Sequence, residues 1–358
     1  MTFSADVPYN NLPLLPPHHD VWETIKIYKV LAEARAALAE LKGRCPIIPN
    51  PMMLINTLVL QEAKDSSSIE NIFTSSDKLY RAFASSATKP DPHTKEVLRY
   101  RQALLEAWNK LNSDGLSIEL IEEIYQQIKE KEDGLRNEEV YIGNSYQTIY
   151  TPPAGKDVIT KKIKNWIDFA NAVDGIDPLI KLAILHYQFE AIHPFSDGNG
   201  RTGRVMNVLY LSKTGILDDP VLYLSKYINT YKNDYYRLLR EVTENSNWSD
   251  WILYMLTALK ETAIHTLKKV NAIYNLFHQT QEKVKAEAGD IYSYELVEIL
   301  FNQPYCKIGF LIDAKIASRN TASKYLSRLV DLGILTKKQS GNESLYLNQK
   351  LFTILSQG

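Results

Sequence analysis

The chain has 358 residues, 45% of them hydrophobic, with 41 basic and 42 acidic side chains and a formal net charge of −1 at pH 7. That length predicts about two to three domains, and the charge balance carries no global sign of nucleic-acid or membrane-surface binding. No apolar run approaches the roughly 20 residues that span a bilayer. The N-terminus lacks a signal peptide's basic and apolar regions, and Cys45 and Cys306 lie far apart with no Cys/His cluster at zinc spacing, so a reducing cytoplasm and no membrane are expected.

Pro8, Pro13, Pro16 and Pro17 predict an extended arm over residues 1–20. A helix follows over Trp22–Leu41, with Ile27, Leu31, Ala34, Leu38 and Leu41 on one face, and Gly43 and Pro46 break it. The next helix is predicted over Met53–Phe73. It carries Ser66, Ser67 and Ser68 in its interior, which is poor for helix propensity and allows close approach of another backbone or a ligand. On its own, Glu70 in this stretch reads as a solvated helix carboxylate. A linker over Thr88–His93 leads to helices over Glu96–Leu111 and Ile118–Lys131. Val140, Tyr141 and Ile142 and then Thr148, Ile149 and Tyr150 are β-like, with a turn at Gly143-Asn144-Ser145 between them. Residue types alone make this an ordinary surface hairpin.

Val158–Val173 is an amphipathic helix, and Asp177-Pro178 opens another that runs through His186, read as a buried structural histidine bonded to nearby backbone. Arg201–Leu211 is helix-compatible. A helix from Asn229 carries Tyr231, Tyr235, Tyr236, Leu239 and Val242, and helices over Asn247–Leu256 and Leu259–Glu287 follow. From residue 290 the pattern is that of a winged helix: helices over Tyr294–Asn302, Ile308–Ala317 and Asn320–Leu332, an N-cap at Ser318, then strands at Ile334-Leu335 and Leu345–Leu347 joined through Gln339–Asn342. Residues 291–358 hold eight basic and five acidic side chains, a net charge of +3; Lys324 and Arg328 fall on the candidate recognition helix, with Arg319 at its start. That fits DNA phosphate contact. Dimerisation and protein contact are equally served by such modules.

The richest stretch lies between two of these helices: His193-Pro194-Phe195-Ser196-Asp197-Gly198-Asn199-Gly200-Arg201-Thr202-Gly203-Arg204. Pro194 ends the first helix. The loop therefore sits at the N-terminus of the second, where free N–H groups and the dipole attract anions. Gly198 and Gly200 permit a tight turn and a phosphate nest, Asn199 adds a side-chain N–H, and Arg201 and Arg204 share one face of a helical turn. Asp197 beside a phosphate site calls for an intervening cation, and Mg²⁺ takes one or two carboxylates plus phosphate oxygens. His193 suits proton removal near neutral pH. Together these residues point to attack by a hydroxyl on phosphorus.

The loop resembles the signature of Fic-domain proteins, His-Pro-Phe-x-(Asp/Glu)-Gly-Asn-(Gly/Lys)-Arg-x-x-Arg, at every fixed position. The resemblance implies transfer of AMP from Mg·ATP to a Ser, Thr or Tyr hydroxyl of a target protein or of the chain itself. His193 would be the general base and Asp197 the Mg²⁺ ligand. Gly198, Asn199 and Gly200 would form the anion hole, Arg201, with Thr202 and Gly203 beside it, would hold the phosphates, and Arg204 would meet the γ-phosphate. Ser66-x-x-x-Glu70-Asn71 resembles the family's inhibitory motif, which predicts a Glu70–Arg204 ion pair. The hairpin (Val140, Tyr141, Ile142, Thr148, Ile149, Tyr150) resembles the flap that holds a target segment by β-augmentation. Tyr235 and Tyr236 resemble the paired tyrosines near the adenine.

The implied fold is mainly α: a Fic-type helical bundle with a β-hairpin flap and a small C-terminal winged helix. It divides into an inhibitory region 1–95, a core 96–257, a bridging helix 258–289 and a terminal domain 290–358. Two rival functions remain open, a Glu70-dependent removal of AMP and a nucleotide-sensing DNA-binding regulator. The oligomeric state is open as well, a homodimer being common in the family.

Overall fold

A computed structural model describes residues 3–48, 50–85, 89–143, 146–340 and 343–356. The first half contains α1 (Ile25–Arg44), α2 (Pro51–Ile69), α3 (Ser76–Ala84), α4 (Pro92–Asp114), α5 (Ile118–Lys129), β1 (Ile142–Gly143), β2 (Thr148–Tyr150) and α6 (Lys156–Asn171). The second half contains α7 (Pro178–Ile192), α8 (Asn199–Lys213), α9 (Ser225–Thr230), α10 (Lys232–Asn245) and α11 (Trp248–Glu287). It ends with α12 (Tyr294–Ile299), β3 (Tyr305–Cys306), α13 (Ile308–Asp313), α14 (Arg319–Asp331), β4 (Thr336–Ser340), β5 (Glu343–Leu347) and α15 (Gln349–Ser356). The protein is mainly helical, as its apolar spacing predicts.

The bundle is built around α7 and α8. Every residue of α7 from Leu179 to Phe189 is buried, so this helix has no solvent face and must lie at the centre. Pro178 at its first position and the Asp177 carboxylate, which accepts from the Leu179 N–H at 2.8 Å, set its start. Helices α6 and α11 cover α7, while α2, α4 and α5 cover α8. Two buried indoles tie the shell to the centre: Trp166 donates to the Leu185 carbonyl at 2.8 Å and Trp251 to the Ala183 carbonyl at 2.7 Å.

Several elements differ from expectation. The strand expected at Ile334-Leu335 lies at Thr336–Ser340, the helix expected from Asn229 is divided at Tyr231 into α9 and α10, and the helix expected to run on through Ala317 ends at Asp313. Helix α2 ends at Ile69, so the serines fill its last turn rather than its interior, and Glu70 is the C-cap. The helices expected over 247–256 and 259–287 are one 40-residue helix, α11, about 60 Å long at ~1.5 Å per residue. No glycine or proline interrupts the sequence between them. Val140 and Tyr141 lie outside the hairpin strands, which begin at Ile142. A side chain on Gly143 would collide with the Gln147 carbonyl, and the register slips between Ile142 and Gly143. The expected turn residues Asn144 and Ser145 lie outside the described residues, as do Gly341 and Asn342 of the second hairpin and Thr88 of the linker.

The N-terminal arm straps the hairpin base. Tyr9 N–H donates to the Thr151 carbonyl at 3.0 Å, Thr151 donates to the Ala5 carbonyl at 2.6 Å, and Phe3 stacks on Tyr150 with centroids 5.8 Å apart. The C-terminal region is a three-stranded antiparallel sheet in the order β3-β5-β4 with α12, α13 and α14 beside it. Strand β3 was not expected. This region packs back on the first helices: α15 contacts α2, and β3 contacts α3. Among the described residues, no helix is long and apolar enough to cross a membrane.

Candidate active site

The loop joining α7 to α8 lies where the two central helices meet. His193 caps α7 in the left-handed region (φ 51°) and Gly198 caps α8 likewise (φ 76°), so two reversals enclose four residues. Phe195 is fully buried and stacks on Tyr125 of α5, centroids 4.0 Å apart, which pins the loop to the bundle. The Asn199 carboxamide spans the loop, accepting from Phe195 N–H and donating to the Phe195 carbonyl, both at 2.8 Å. The expected side-chain donor is therefore spent on shape. The first intrahelical bond of α8 runs from Thr202 N–H to the Gly198 carbonyl, so the amides of Asn199, Gly200 and Arg201 precede the helical ladder, in the position where helices bind anions.

His193 Nδ1 lies 3.3 Å from the Glu190 carbonyl, an acceptor only, which assigns the proton to Nδ1 and leaves Nε2 as the basic nitrogen. Burial, with the Arg136 guanidinium behind it, lowers the imidazole to about 4, so it is neutral at physiological pH. Arg136 is 3% exposed and serves as a backbone staple. It donates to the carbonyls of His193, Glu138 and Pro153, each at 2.7 Å, and its own N–H reaches the Pro194 carbonyl.

Arg204 is 2% exposed and fully engaged with the end of α2. Its Nε donates to Ser66 Oγ at 2.8 Å, and its Nη2 donates to the Ser66 carbonyl at 3.1 Å and to Glu70 Oε1 at 2.9 Å. Burial pushes the Glu70 carboxyl up, but Arg204, reinforced by Arg201, outweighs it and holds the group below the usual carboxylate range. Asn71 explains its own place in the motif. It is left-handed (φ 60°); its N–H bonds the Ser68 carbonyl and the Ile72 N–H bonds the Ser67 carbonyl, a Schellman turn that favours Gly or Asn at this position.

Arg201 and Asp197 also have partners, none of them anticipated. Arg201 is 1% exposed and its Nη1 donates to Glu96 of α4. Lys129, the last residue of α5, stands 2.6 Å from Asp197 Oδ2 and 3.5 Å from Glu96 Oε1. Asp197 Oδ1 accepts from Gly198 N–H at 2.6 Å, so Oδ2 is the oxygen presented outward.

A cavity of about 530 Å³ opens over the loop. Glu70, Glu190, His193, Asp197, Gly198, Asn199, Gly200 and Arg204 line one part of it; Ile142, Gly143, Ile149 and Tyr150 of the hairpin and Phe3 of the arm line another. Arg201, Thr202 and Gly203 do not line it: Thr202 bonds the Gly198 carbonyl, and Gly203 packs against Phe189 and Glu190. Tyr235 and Tyr236 both border the cavity. Tyr235 is buried with its hydroxyl on His186 Nε2 at 2.9 Å, whereas Tyr236 is 47% exposed, with the Lys232 ammonium over its ring at 5.9 Å. His186 is structural as expected, but its partners are side chains, Tyr235 and Asn207, rather than backbone.

The model named Fic/DOC family N-terminal matches residues 28–109, and the model named Fic/DOC family matches residues 115–211, across both arms of this site. The chain belongs to the Fic/DOC family. Residues 276–351 match the C-terminal domain of the protein adenylyltransferase SoFic-like model. Protein adenylyltransferase fic-1 of Caenorhabditis elegans is 31% identical over 109 residues, covering 28% of this chain and 20% of that protein. A probable protein adenylyltransferase of Aquifex aeolicus (strain VF5) is 27% identical over 138 residues, covering 38% of this chain and 42% of that protein. The match thus spans about a fifth to two-fifths of those relatives' lengths. A crystal structure of a Fic family protein from Desulfovibrio desulfuricans G20 shares the fold over 93% of this chain and 98% of that chain, with a TM-score of 0.58 at 19% identity. A Fic domain containing signaling protein from Bacteroides thetaiotaomicron VPI-5482 does so over 68% of this chain and 98% of that chain, with a TM-score of 0.53 at 18% identity.

The Fic/DOC core accordingly gathers His193, Asp197, the α8 amides, Arg204, Ser66 and Glu70 at one cavity. Three residues that shape it were missed: Glu96, Lys129 and Arg136. Each is a charged residue whose partner lies more than fifty positions away, and nothing local distinguishes it from a solvated side chain.

Proposed function

We propose that this protein transfers AMP from Mg·ATP to a hydroxyl side chain, on a partner protein or on itself, and that Glu70 holds it in an inhibited state. The observation that carries the reading is a neutral histidine, three helix-start amides and a buried arginine facing one cavity, with a carboxylate from α2 on that arginine.

In this reading the hydroxyl oxygen attacks the α-phosphorus. Its bond to phosphorus forms as the bond to the leaving pyrophosphate breaks, and His193 Nε2 takes the hydroxyl proton. The α8 amides stabilise the charge that develops on the phosphate oxygens, while Arg201, buried behind the cavity lining on Glu96, backs the loop from below. Asp197 Oδ2 fits a divalent cation: it faces outward, its side chain is 61% exposed, and a cationic group already stands at it. Mg²⁺ bound there would neutralise phosphate charge. The β1–β2 edge would align the target segment by strand addition, and Tyr236 would stack on the base. Glu70 and a γ-phosphate compete for Arg204, since both are anions and one guanidinium does not serve both cheaply.

His193→Ala should lower labelling by ATP carrying its label at the α-phosphate by about a hundredfold or more, with ATP binding retained. Glu70→Gly should raise self-labelling about tenfold or more, the scale of one charge-assisted hydrogen bond. Undiminished labelling by the first variant, or no gain in the second, would remove the corresponding role.

A further inference from the structure

Lys129 belongs to the loop by two separate contacts. Its Nζ pairs with Asp197 Oδ2 at 2.6 Å. Its stem lies over Gly198: a Cβ built on that glycine would meet Lys129 Cγ and Cδ at 3.1 Å. The same Nζ is 3.5 Å from Glu96 Oε1, and Glu96 holds Arg201. Arg201, Glu96, Lys129 and Asp197 therefore form a chain of alternating charge that runs from the buried arginine of α8 to the outward carboxylate. Lys129 and Glu96 are each only 16% exposed, so solvent screens their end of the chain weakly, whereas Asp197 opens to the cavity at 61%.

We propose that Lys129 is the resident competitor of the divalent cation at Asp197: a positioning residue that presets the carboxylate and yields it when the metal arrives with a nucleotide. This rests on the reading of Asp197 as the metal ligand. An ammonium and a metal ion cannot share Oδ2 at hydrogen-bond range without direct charge repulsion. Glu96 makes the exchange feasible, because the displaced ammonium already has a second carboxylate beside it. The consequence is quantitative. Lys129 reduces the degree to which Mg²⁺ and nucleotide strengthen each other's binding, and so sets how much metal the site requires.

The test is the coupling between the two ligands. ADP affinity is measured by calorimetry on the full chain, with excess Mg²⁺ and again with EDTA, and the ratio of the two dissociation constants is compared across variants. Lys129→Gln should enlarge the ratio by about threefold to tenfold, the range of a partly exposed to partly buried ion pair. Lys129→Arg, which keeps the charge, should stay near the wild-type ratio. A lysine that only binds phosphate, or only ends α5, would shift both constants alike; an unchanged ratio in Lys129→Gln with a native circular-dichroism spectrum therefore overturns the proposal. Asp197→Ala separates the two layers of the argument. If it keeps the wild-type ratio, the assignment of Asp197 as metal ligand fails; if it collapses the ratio while Lys129→Gln leaves it intact, only the competitor role fails.

Discussion

At the scale of single residues, Glu190 is the group in the cavity that the reaction does not use. It lies one turn before His193, and its Oε1 is buried without a hydrogen-bond partner. Burial pushes its carboxyl up to about 7, against the pull of Arg204 and with a further push from Glu70. Between the ordinary carboxylate range and about pH 7 the folded protein therefore keeps a proton on Glu190 that the unfolded chain has released. The contribution of this group to stability is full below that window and is lost as pH rises through it. Glu190→Gln removes the ionisation, so its melting temperature relative to wild type should be higher at pH 8 than at pH 5. An equal offset at both pH values would mean that Glu190 does not titrate in that window.

At the scale of elements, the end of α2 decides where the Glu70 carboxylate stands. The Schellman turn at Asn71 places Glu70 just past the last helical residue, under the Arg204 guanidinium. A β-branched residue in the left-handed region costs about 1–2 kcal/mol. Asn71→Val should thus loosen the turn and raise self-labelling, while Asn71→Gly, which accepts φ 60°, should leave both stability and labelling near wild type. Equal labelling in all three proteins would detach the turn from the inhibition. The loop itself was legible in the sequence because its chemistry is local: base, carboxylate, glycines and arginines lie within twelve positions. The central helix was legible because an apolar run with no polar face has nowhere else to go. The end of α2 was not. Serine and asparagine side chains compete for backbone hydrogen bonds and close a helix, a tendency that the apolar residues Ile69 and Phe73 disguised. Glu96, Lys129 and Arg136 were invisible for a related reason, since their meaning depends on partners brought close only by the fold.

At the scale of the whole molecule, α11 and the C-terminal region bind the chain into one body. Helix α11 packs on α1 and α7 over the core and reaches α12 and α15 beyond it, with no break in its ladder. The C-terminal sheet returns to the first helices: Tyr305 bonds Asp77, Arg81 stacks on the Tyr305 ring, and Phe352 packs against Tyr80. Thermal unfolding should accordingly show one cooperative transition by both circular dichroism and tryptophan fluorescence. Two separated transitions would show that the 276–351 region unfolds independently of the core.

The position of Glu70 outside the helical ladder has a consequence in time. Freeing it breaks a side-chain ion pair and a turn, not the hydrogen bonds that hold α2 together. Such local rearrangements take about nanoseconds to microseconds, whereas enzyme turnover runs at about 1–10³ per second. On the proposed function, the form with Glu70 on Arg204 and one with Glu70 freed would therefore equilibrate many times within one catalytic cycle. If Glu70 inhibits as proposed, inhibition is a matter of how the molecule divides its time, and a ligand or partner that favours the open form would act at once, by mass action, rather than after a delay.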